Sequence, residues 1–576
     1  MPHKTDKNTF QIGILYTSLL FIIFIFLARV LYLSLNEPEL FIKKIISHKD
    51  LALRGKIISK DNFIIAQNQK IYSVAIIPKY INQNKKQLLI NLLAIYTNKS
   101  PKYFEKLLTQ NKRVIILKHI PYNIKKNLVY LSNVLTLEKV FLRSEKTKII
   151  YGLDIFEEPS KRLYPFTNRL EPILGYARWH NNKRVGMGLE RYYDEILRPQ
   201  QNGYFKGYRD VRNRIIYDNS AIIKQRIDGK DLHLNINFTL QGKIENILDI
   251  SKPKMKAKEI LTVVMDSHTG HIIAIASSNR YNPMHITKQT IPYLKISHIQ
   301  YTYEPGSVMK PIILALLLEY KKVNILEILN AYNGAFRFKS NFTIYDDEHF
   351  KWMNVIQAVV HSSNIVFAQL GLRLTPSEFR NGLLKFGFNQ KSEIDLPYEY
   401  KGVLLSQKEF LNDMHRASNS FGYAIQVNLI QLLKAYNSFN NNGIMITPKI
   451  ANHYENIPIL NTKQQIISPA TAQTVLNILR KVVQQGTAKA TNLPGLFLAG
   501  KTGTAKINKH GSYVKGLYNS SFIGFANDNY NHKYTIATLV IQPDEKRYFS
   551  SQTAVVIFKK IVEKMVEMNM LIPTKQ

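Results

Sequence analysis

The sequence predicts an α+β fold behind an N-terminal transmembrane helix. Three observations support this prediction. Residues 8–28 carry no charge, residues 54–227 mix short β-like runs with helical stretches, and the C-terminal part begins and ends with strand-like runs that enclose helical segments. Strands distant in sequence that share one sheet, with helices between them, are typical of an α+β domain.

The N-terminal apolar stretch predicts a membrane anchor. Residues 12–35 are interrupted only by Arg29 and are long enough to cross a bilayer core of about 30 Å. The alternative is a cleaved signal peptide, whose apolar region has about 7–15 residues and ends in small residues. Because this run is longer and lacks an Ala-x-Ala site, we predict an uncleaved signal-anchor over residues 8–35.

The orientation of the anchor follows from the tail that precedes it. Lysines lie on both sides of the span, so the charge difference is a weak guide. The short segment 1–7 is predicted to be a cytoplasmic tail. The bulk of the chain would then lie on the outer, periplasmic side of the cytoplasmic (inner) membrane, held by a single span.

Residues 36–227 are predicted to form an elongated, irregular pedestal domain. β-like runs at 72–77 and 113–117 occur with a helical stretch near 86–96. No catalytic constellation is found in this part of the sequence, so the pedestal is expected to have a non-catalytic role.

Residues 228–576 are predicted to form a second domain of sheet and helices. Its apolar runs predict strands at 260–265, 271–276, 521–526 and 534–541. Helical patterns predict helices from 311 to about 329, near 428–436 and over 554–565. Strands at both ends of the domain would share one sheet, with the helices packed against it.

Three short motifs stand in order in this second domain: Ser307-Val308-Met309-Lys310, Ser362-Ser363-Asn364 and Lys501-Thr502-Gly503. The first motif alone is weak, because Ser-x-x-Lys also occurs at Ser251. About 50 residues separate the first motif from the second, and about 140 separate the second from the third. Three such motifs in this order and at this spacing rarely occur by chance. The ordered trio predicts an acyl-transfer site in which a lysine activates a serine.

The first motif supplies a nucleophile and a base. The turn Pro305-Gly306 and the apolar run after it predict that Ser307 lies at a helix N-terminus, with Lys310 one turn away on the same face. A serine hydroxyl is a poor nucleophile until a base takes its proton. Lysine can serve only if its pKa falls from about 10.4, through burial or a neighbouring cation. Lys501 is predicted to be that cation.

The other motif residues are predicted to handle protons and substrate. Ser362 is suited to passing a proton between Lys310 and the leaving amine, and Asn364 offers a donor and an acceptor to a substrate amide. Thr502 and Thr504 offer hydroxyls to a substrate carboxylate beside the lysine.

Backbone groups complete the predicted site. The N–H groups of Ser307 and Thr504 are the expected oxyanion-hole pair, because exposed donors at a helix start favour negative charge. Gly503 is expected to let a ligand approach the strand edge closely.

Composition excludes several other kinds of site. The 576 residues include no cysteine, which excludes disulfides, thiolate metal ligands and cysteine catalysis. No metal-binding spacing and no glycine-rich phosphate loop occurs, so we expect neither metal nor cofactor. The net charge of +37 is scattered along the chain without a nucleic-acid motif. Anionic lipid or an envelope polymer is a better partner for it than nucleic acid.

Beyond the three motifs, the chain resembles the class B penicillin-binding proteins, which are membrane-anchored peptidoglycan D,D-transpeptidases. The resemblance extends over nearly the whole chain and includes Arg54-Gly55-Lys56-Ile57, Arg162-Leu163-Tyr164-Pro165, Gly188-Leu189-Glu190-Arg191, Met265-Asp266, Ser420-Phe421-Gly422-Tyr423 and Gly486-Thr487-Ala488. It implies a penicillin-binding/β-lactamase-like transpeptidase domain, with an antiparallel sheet flanked by helices. One departure is Asn62, where the family has glycine; asparagine tolerates positive φ at such a turn.

The resemblance implies specific chemistry and partners. Ser307 would be acylated by a peptidoglycan stem peptide ending in D-Ala-D-Ala, with Lys310, Ser362, Asn364 and Lys501 in the roles given above. β-Lactam antibiotics would be covalent inhibitors. A polytopic glycan polymerase and other division proteins would be partners in the membrane.

Alternatives remain open at this point. The segment Tyr518-Asn519-Ser520-Ser521-Phe522 and the compact pedestal resemble the division type more than the elongation type of the family. A membrane-anchored serine β-lactamase would share the motifs, but no deacylating glutamate motif follows Ser362. A penicillin-sensing or scaffold protein would keep the site only to bind ligand.

Overall fold

The computed structural model describes residues 6–35, 45–145, 150–180, 183–208, 217, 219–339, 342–509 and 511–574. The α-helices of these residues are α1 (Asp6–Leu35), α2 (Lys86–Thr97), α3 (Pro101–Leu107), α4 (Tyr122–Leu137), α5 (Gly188–Tyr192), α6 (Asp194–Leu197), α7 (Phe238–Met255), α8 (Ser297–Gln300), α9 (Lys310–Glu319), α10 (Val355–Val360), α11 (Asn364–Gly371), α12 (Pro376–Lys385), α13 (Asp413–Ser420), α14 (Leu429–Asn440), α15 (Pro469–Gln485) and α16 (Ala554–Glu567).

The strands of the same residues are β1 (Ile45–Asp50), β2 (Ile57–Ile58), β3 (Ile64–Ile76), β4 (Val114–Ile120), β5 (Asp154–Leu163), β6 (Ala177–His180), β7 (Lys183–Gly186), β8 (Gly203–Tyr208), β9 (Ile222–Lys224), β10 (Leu232–Leu234), β11 (Glu259–Asp266), β12 (Ile272–Ser277), β13 (Ile328–Asn330), β14 (Ala335–Lys339), β15 (Phe342–Tyr345), β16 (Trp352–Asn354), β17 (Ile444–Ile446), β18 (Ala451–Tyr454), β19 (Ile457–Pro458), β20 (Lys463–Gln465), β21 (Phe497–Lys509), β22 (Ser512–Asn527) and β23 (Lys533–Ile541). This mixture of helix and antiparallel sheet confirms the predicted α+β class.

The chain forms two compact units. The first comprises Met1–Ala52 and Gln200–Ile227, and the second comprises Leu53–Pro199 and Asp228–Gln576. In the first unit, α1 contains the apolar stretch Phe10–Leu35, of mean hydropathy 2.5, with its side chains exposed. At 1.5 Å per residue its 26 residues extend about 39 Å, enough to cross a bilayer. The described part of the predicted tail, from Asp6, is helical as well, so the helix begins before the predicted span.

The N-terminal part of the second unit is built on β3. This strand pairs antiparallel with β4 on one side and with β5 on the other. Helices α2, α3 and α4 enclose a local core against these strands, including Leu89, Phe104 and Leu128. The strands and the helix that the sequence predicted near 72–77, 113–117 and 86–96 are all present.

Buried ion pairs connect three of the sequence signatures of this part. Glu190 is buried and accepts from Nε of Arg54 at 2.7 Å and from Nε of Arg162 at 2.7 Å. Arg54 also pairs with Asp194 at 2.6 Å. Burial acts to raise the pKa of Glu190, but the charges of the two arginines outweigh it and the pKa is lowered. Charged side chains persist in a core when they are paired in this way.

The C-terminal part of the second unit contains an antiparallel sheet with the strand order β12–β11–β23–β22–β21. Strands from both ends of the predicted domain therefore share one sheet, as expected. Helices α7 and α16 pack against each other and the sheet, and α14 and α15 contact strands β21 to β23. The apolar residues predicted for the terminal helix, such as Phe558 and Ile561, are fully buried.

One helix boundary was predicted wrongly. The helix expected from 311 to about 329 ends at Glu319, and β13 begins at Ile328. Lys321 adopts a left-handed conformation with φ of 55°, and the N–H of Lys322 donates to the carbonyl of Leu317 at 2.8 Å. This arrangement closes a helix end, usually with glycine at the left-handed position. The sequence carries lysine there, so no glycine marks the C-terminal end of the helix.

Candidate active site

The nucleophile candidate lies in a tight turn before a buried helix. Ser307 is half-buried in the 3₁₀ turn Gly306–Met309, which leads directly into α9. The N–H of Gly306 donates to the carbonyl of Gly422 at 3.0 Å. A Cβ on Gly422, which has φ of 89°, would lie 2.0 Å from the carbonyl oxygen of Gly306. Glycine at position 422 therefore allows two backbone segments to meet beside the serine.

Lys310 lies at the centre of the site and is fully buried. Its Nζ is 3.0 Å from Oγ of Ser307, 3.2 Å from Oγ of Ser362 and 2.8 Å from Oδ1 of Asn364, and it also donates to the carbonyl of Ser362. Burial lowers the pKa of this lysine to about 7, against the opposing charges of Asp346 and Asp347. Lys310 can therefore be neutral at physiological pH, as a base must be.

The partners of Lys310 match a neutral amine. The Ser362 carbonyl can only accept, and so can Oδ1 of Asn364, whose orientation is fixed because its Nδ2 donates to the carbonyl of Tyr345 at 2.8 Å. A neutral amine has two N–H donors, which these two acceptors use. In this neutral form the lone pair can accept the hydroxyl hydrogen of Ser307, whereas in the ammonium form Nζ donates to Ser307 Oγ.

Ser362 links the two lysines. Its Oγ accepts from Nζ of Lys501 at 2.9 Å and lies 3.2 Å from Nζ of Lys310. Ser362 adopts a left-handed backbone conformation with φ of 63°, between α10 and α11. A hydroxyl can donate and accept at once, so this serine can relay a proton between the lysines and a bound substrate.

Lys501 is also fully buried, in β21, and its pKa is lowered well below the ordinary value by burial and then by the charge of Lys310. The sequence predicts that Lys501 is a cation that lowers the pKa of Lys310. The structure corrects this: burial is the main cause for both lysines. Two ammonium groups this close are not held together without an anion, such as a substrate carboxylate.

The remaining predicted residues lie along β21. The Thr502 hydroxyl is 2.7 Å from that of Thr487, and the Thr504 hydroxyl accepts from the N–H of Ser550 at 3.2 Å. Each hydroxyl keeps hydrogen-bonding capacity for a ligand.

Internal packing fills the space beside Gly503. A Cβ there would lie 2.8 Å from the Pro305 carbonyl oxygen and 2.9 Å from Cγ1 of Val308. The expected reason for this glycine was close approach of a ligand. The structure shows that the missing side chain also lets the nucleophile turn pack on the strand, and the close approach of a ligand stays a prediction.

Sequence reasoning missed Asp346, which holds the second motif in place. Its Oδ1 accepts from the N–H of Asn364 at 2.5 Å and of Ile365 at 3.1 Å, and its Oδ2 accepts from the hydroxyl of Ser363. A carboxylate at the first turn of α11 accepts hydrogen bonds from N–H groups that have no partner within the helix. Its negative charge also interacts favourably with the positive end of the helix dipole. The signal was present: residues 346–348 are the single run of three acidic residues in this basic sequence.

The fold and this arrangement are those of serine acyltransferases that use lysine as a base. In the described part of the chain, no group of three or more histidine, aspartate or glutamate side chains is placed to hold a metal ion. The chemistry present is a hydroxyl nucleophile, a buried amine and a hydroxyl relay.

Comparison with known proteins agrees with this class. Residues 260–563 match the family described as penicillin binding protein transpeptidase domain, and residues 49–234 match the penicillin-binding protein dimerisation domain. The chain therefore belongs to the penicillin-binding protein transpeptidase family, and the pair of domains makes it a class B penicillin-binding protein.

Individual relatives are similar over most of the chain. Stage V sporulation protein D of Bacillus subtilis is 28% identical over 82% of this chain and 72% of its own. The peptidoglycan D,D-transpeptidase FtsI of Buchnera aphidicola subsp. Baizongia pistaciae is 25% identical over 99% of this chain and 97% of its own. Penicillin binding protein 2X of Streptococcus thermophilus has the same fold, with a TM-score of 0.76 and 20% identity over 91% of this chain and 80% of its own.

Proposed function

We propose that this protein is a peptidoglycan D,D-transpeptidase that cross-links stem peptides through an acyl-enzyme on Ser307. The observation that carries the proposal is the contact of 3.0 Å between Ser307 Oγ and Nζ of a buried lysine whose pKa is about 7. Names of relatives support the substrate, since several are peptidoglycan D,D-transpeptidases.

In the first half-reaction Ser307 attacks the carbonyl carbon between the two D-alanines of a donor peptide. Lys310 takes the hydroxyl proton, and the N–H groups of Ser307 and Thr504 stabilise the oxyanion. The proton then passes through Ser362 to the departing amine as the C–N bond breaks. The terminal carboxylate would bind Thr502, Thr504 and Lys501, and that anion would keep Lys501 charged while Lys310 stays neutral.

In the second half-reaction an amine of another stem peptide attacks the ester. Lys310 and Ser362 now accept the proton of the attacking amine and return one to Ser307 Oγ. β-Lactams would follow the first half-reaction and remain on the serine. A β-lactamase, the alternative, would release them to water repeatedly.

The direct test is a cross-linking assay with the full-length protein in detergent or liposomes. Lipid-linked pentapeptide, a glycan polymerase and the protein should give cross-linked peptide dimers, analysed by mass spectrometry after muramidase digestion. Ser307→Ala should give none. Rapid hydrolysis of benzylpenicillin over many turnovers, without dimers, would instead favour the β-lactamase.

A role in division is the finer proposal. The similarity to two FtsI proteins of Buchnera aphidicola supports it, one of them along nearly the whole chain. A polytopic glycan polymerase and division proteins would be partners in the membrane. A functional fluorescent fusion should concentrate at midcell; a pattern along the side wall would favour the elongation type.

The anchor and domain boundaries complete the proposal. Helix α1 would hold the protein in the cytoplasmic membrane by one span, with a pedestal over 36–227 and a catalytic domain over 228–576 outside it. The match of 49–234 to the dimerisation domain and of 260–563 to the transpeptidase domain supports this division. Protease added to intact spheroplasts should digest the catalytic domain; protection would contradict the outward orientation.

A further inference from the structure

A carboxylate at the rim of the site is positioned by both of its chain neighbours. Asp346 holds the backbone of Asn364 and Ile365, and Glu348 pairs with Nδ1 of His361 at 2.9 Å. The residue between them, Asp347, therefore lies between two residues that contact the chain on either side of Ser362, the hydroxyl that joins the two lysines.

Asp347 is exposed and makes no hydrogen bond or ion pair with the described residues. Its charge nevertheless acts on the groups around the cleft. It opposes the lowering of the pKa of Lys310 and Lys501 by burial, and it adds to the raising of the pKa of Tyr423 and Tyr548 by burial. The exposed carboxylate of Asp347 is thus close enough to both lysines for its charge to act on them.

The second half-reaction needs an amine to reach this place. An alkyl amine has a pKa of about 10.4 and arrives as a cation. The net charge of the protein is +37, so its overall field repels such an acceptor. A local negative charge at the rim would attract a cationic acceptor toward the acyl-enzyme.

We propose that Asp347 selects the acceptor by binding the side-chain ammonium of a diamino acid in the second stem peptide. This inference rests on the proposed transpeptidase function. The bound ammonium loses one proton to solvent, and its nitrogen attacks the ester carbon. The second proton passes to Lys310 and then to Ser307 Oγ as the C–O bond breaks. The products are an amide, the free serine and one released proton. Asp347 touches the acceptor and takes no proton.

The experiment measures how the acyl-enzyme is divided between amine and water. The donor is Nα,Nε-diacetyl-L-lysyl-D-alanyl-D-alanine, and the cationic acceptor is Nα-acetyl-L-lysine amide. Hydroxylamine is the comparison acceptor, because it is uncharged at the assay pH. The ratio of aminolysis to hydrolysis is independent of the acylation rate, so each variant is compared after the same intermediate.

Asp347→Asn should lower this ratio about fivefold for the lysine amide, as expected for loss of roughly 1 kcal/mol of charge attraction. The ratio for hydroxylamine should change by less than about twofold. Asp347→Glu should restore the cationic ratio, and high salt should reduce the wild-type preference. The matched control is Glu105→Gln, an exposed acidic residue in α3, which should behave as wild type.

The outcomes distinguish failure of the proposed role of Asp347 from failure of the proposed transpeptidase function. Equal loss with both acceptors, or an unchanged ratio in Asp347→Asn, would overturn the role of Asp347 while leaving the transpeptidase proposal intact. Absence of any acyl-enzyme from the donor peptide in the wild-type protein would overturn the proposed function itself.

Discussion

Lys310 Nζ lies 3.0 Å from Ser307 Oγ although the lysine side chain has no exposed surface. The same burial that removes water from the amine lowers its pKa to about 7. A lysine on the surface would hold its proton at this pH and could not accept one from a serine. The spacing of three residues between Ser307 and Lys310 brings the hydroxyl and the amine close together. Burial in the core around α9 keeps the amine neutral, so that it can act as a base.

The first prediction is the pH dependence of acylation. The base acts in its neutral form, whose fraction falls about tenfold for each pH unit below the pKa. The second-order rate of acylation by benzylpenicillin should therefore rise with pH to about 7 and level off above it. Stopped-flow or quench measurements between pH 5 and 9 test this. A rate that rises only above about pH 9 would mean that Lys310 keeps an ordinary pKa.

The second prediction concerns substitution of the base. Lys310→Ala should abolish acylation, and Lys310→Arg should not restore it, because the guanidinium stays protonated. Thermal unfolding shows whether each variant is folded. An active, folded Lys310→Arg protein would show that another group is the base.

The third prediction separates Lys501 from Lys310. In the complex with a donor carboxylate, where the anion would keep Lys501 charged, Lys501 is a like charge beside Lys310, so its removal should raise the pKa of Lys310 in that complex. Lys501→Ala should shift the acylation profile toward alkaline pH and weaken binding of donors with a free carboxylate. Lys501→Arg should retain part of the activity. A profile unmoved in Lys501→Ala would show that the two lysines do not interact.

The fourth prediction tests the glycine beside the nucleophile turn. Gly422→Ala places a Cβ 2.0 Å from the carbonyl oxygen of Gly306 and should slow acylation strongly, with a loss of about 1–3 kcal/mol in stability. The matched control is Ala424→Gly, since Ala424 also has positive φ, of 56°. That change should alter the free energy of unfolding by less than about 1 kcal/mol. Equal behaviour of the two variants would contradict the packing argument.

The fifth prediction concerns the ion pairs of the N-terminal part. Glu190→Gln leaves Arg54 and Arg162 without their shared buried carboxylate and should destabilise the protein by about 3–5 kcal/mol. Glu138→Gln is the control, because its ion pair with Lys85 is exposed and should contribute less than about 1 kcal/mol. Denaturant unfolding followed by tryptophan fluorescence measures both. A loss in Glu190→Gln no larger than in the control would show that the buried pairs are dispensable.

Sequence alone predicted the parts of the site that chemistry restricts most. The three motifs brought Ser307, Lys310, Ser362 and Lys501 together because few residue types can form such a site. The left-handed Asn62, with φ of 64°, also agrees with expectation.

The sequence could not predict how deeply each site residue is buried, or which residues distant in sequence contact the site. The pKa of Lys501 depends on how deeply β21 is buried, which a motif does not reveal. Asp346 reaches the second motif from the end of β15, so only the fold shows that it caps α11. The end of α9 was missed because lysine, not glycine, occupies the left-handed position after it.

The most direct measurement is the site of penicillin attachment in the full-length protein. After reaction with benzylpenicillin, intact mass should increase by one adduct, and peptide mapping should locate it on Ser307. The Ser307→Ala variant should gain no mass, and thermal unfolding should show that it is folded. An adduct on Ser251 or Ser362, or a folded wild-type protein that takes up none, would contradict the assignment of Ser307 as the nucleophile.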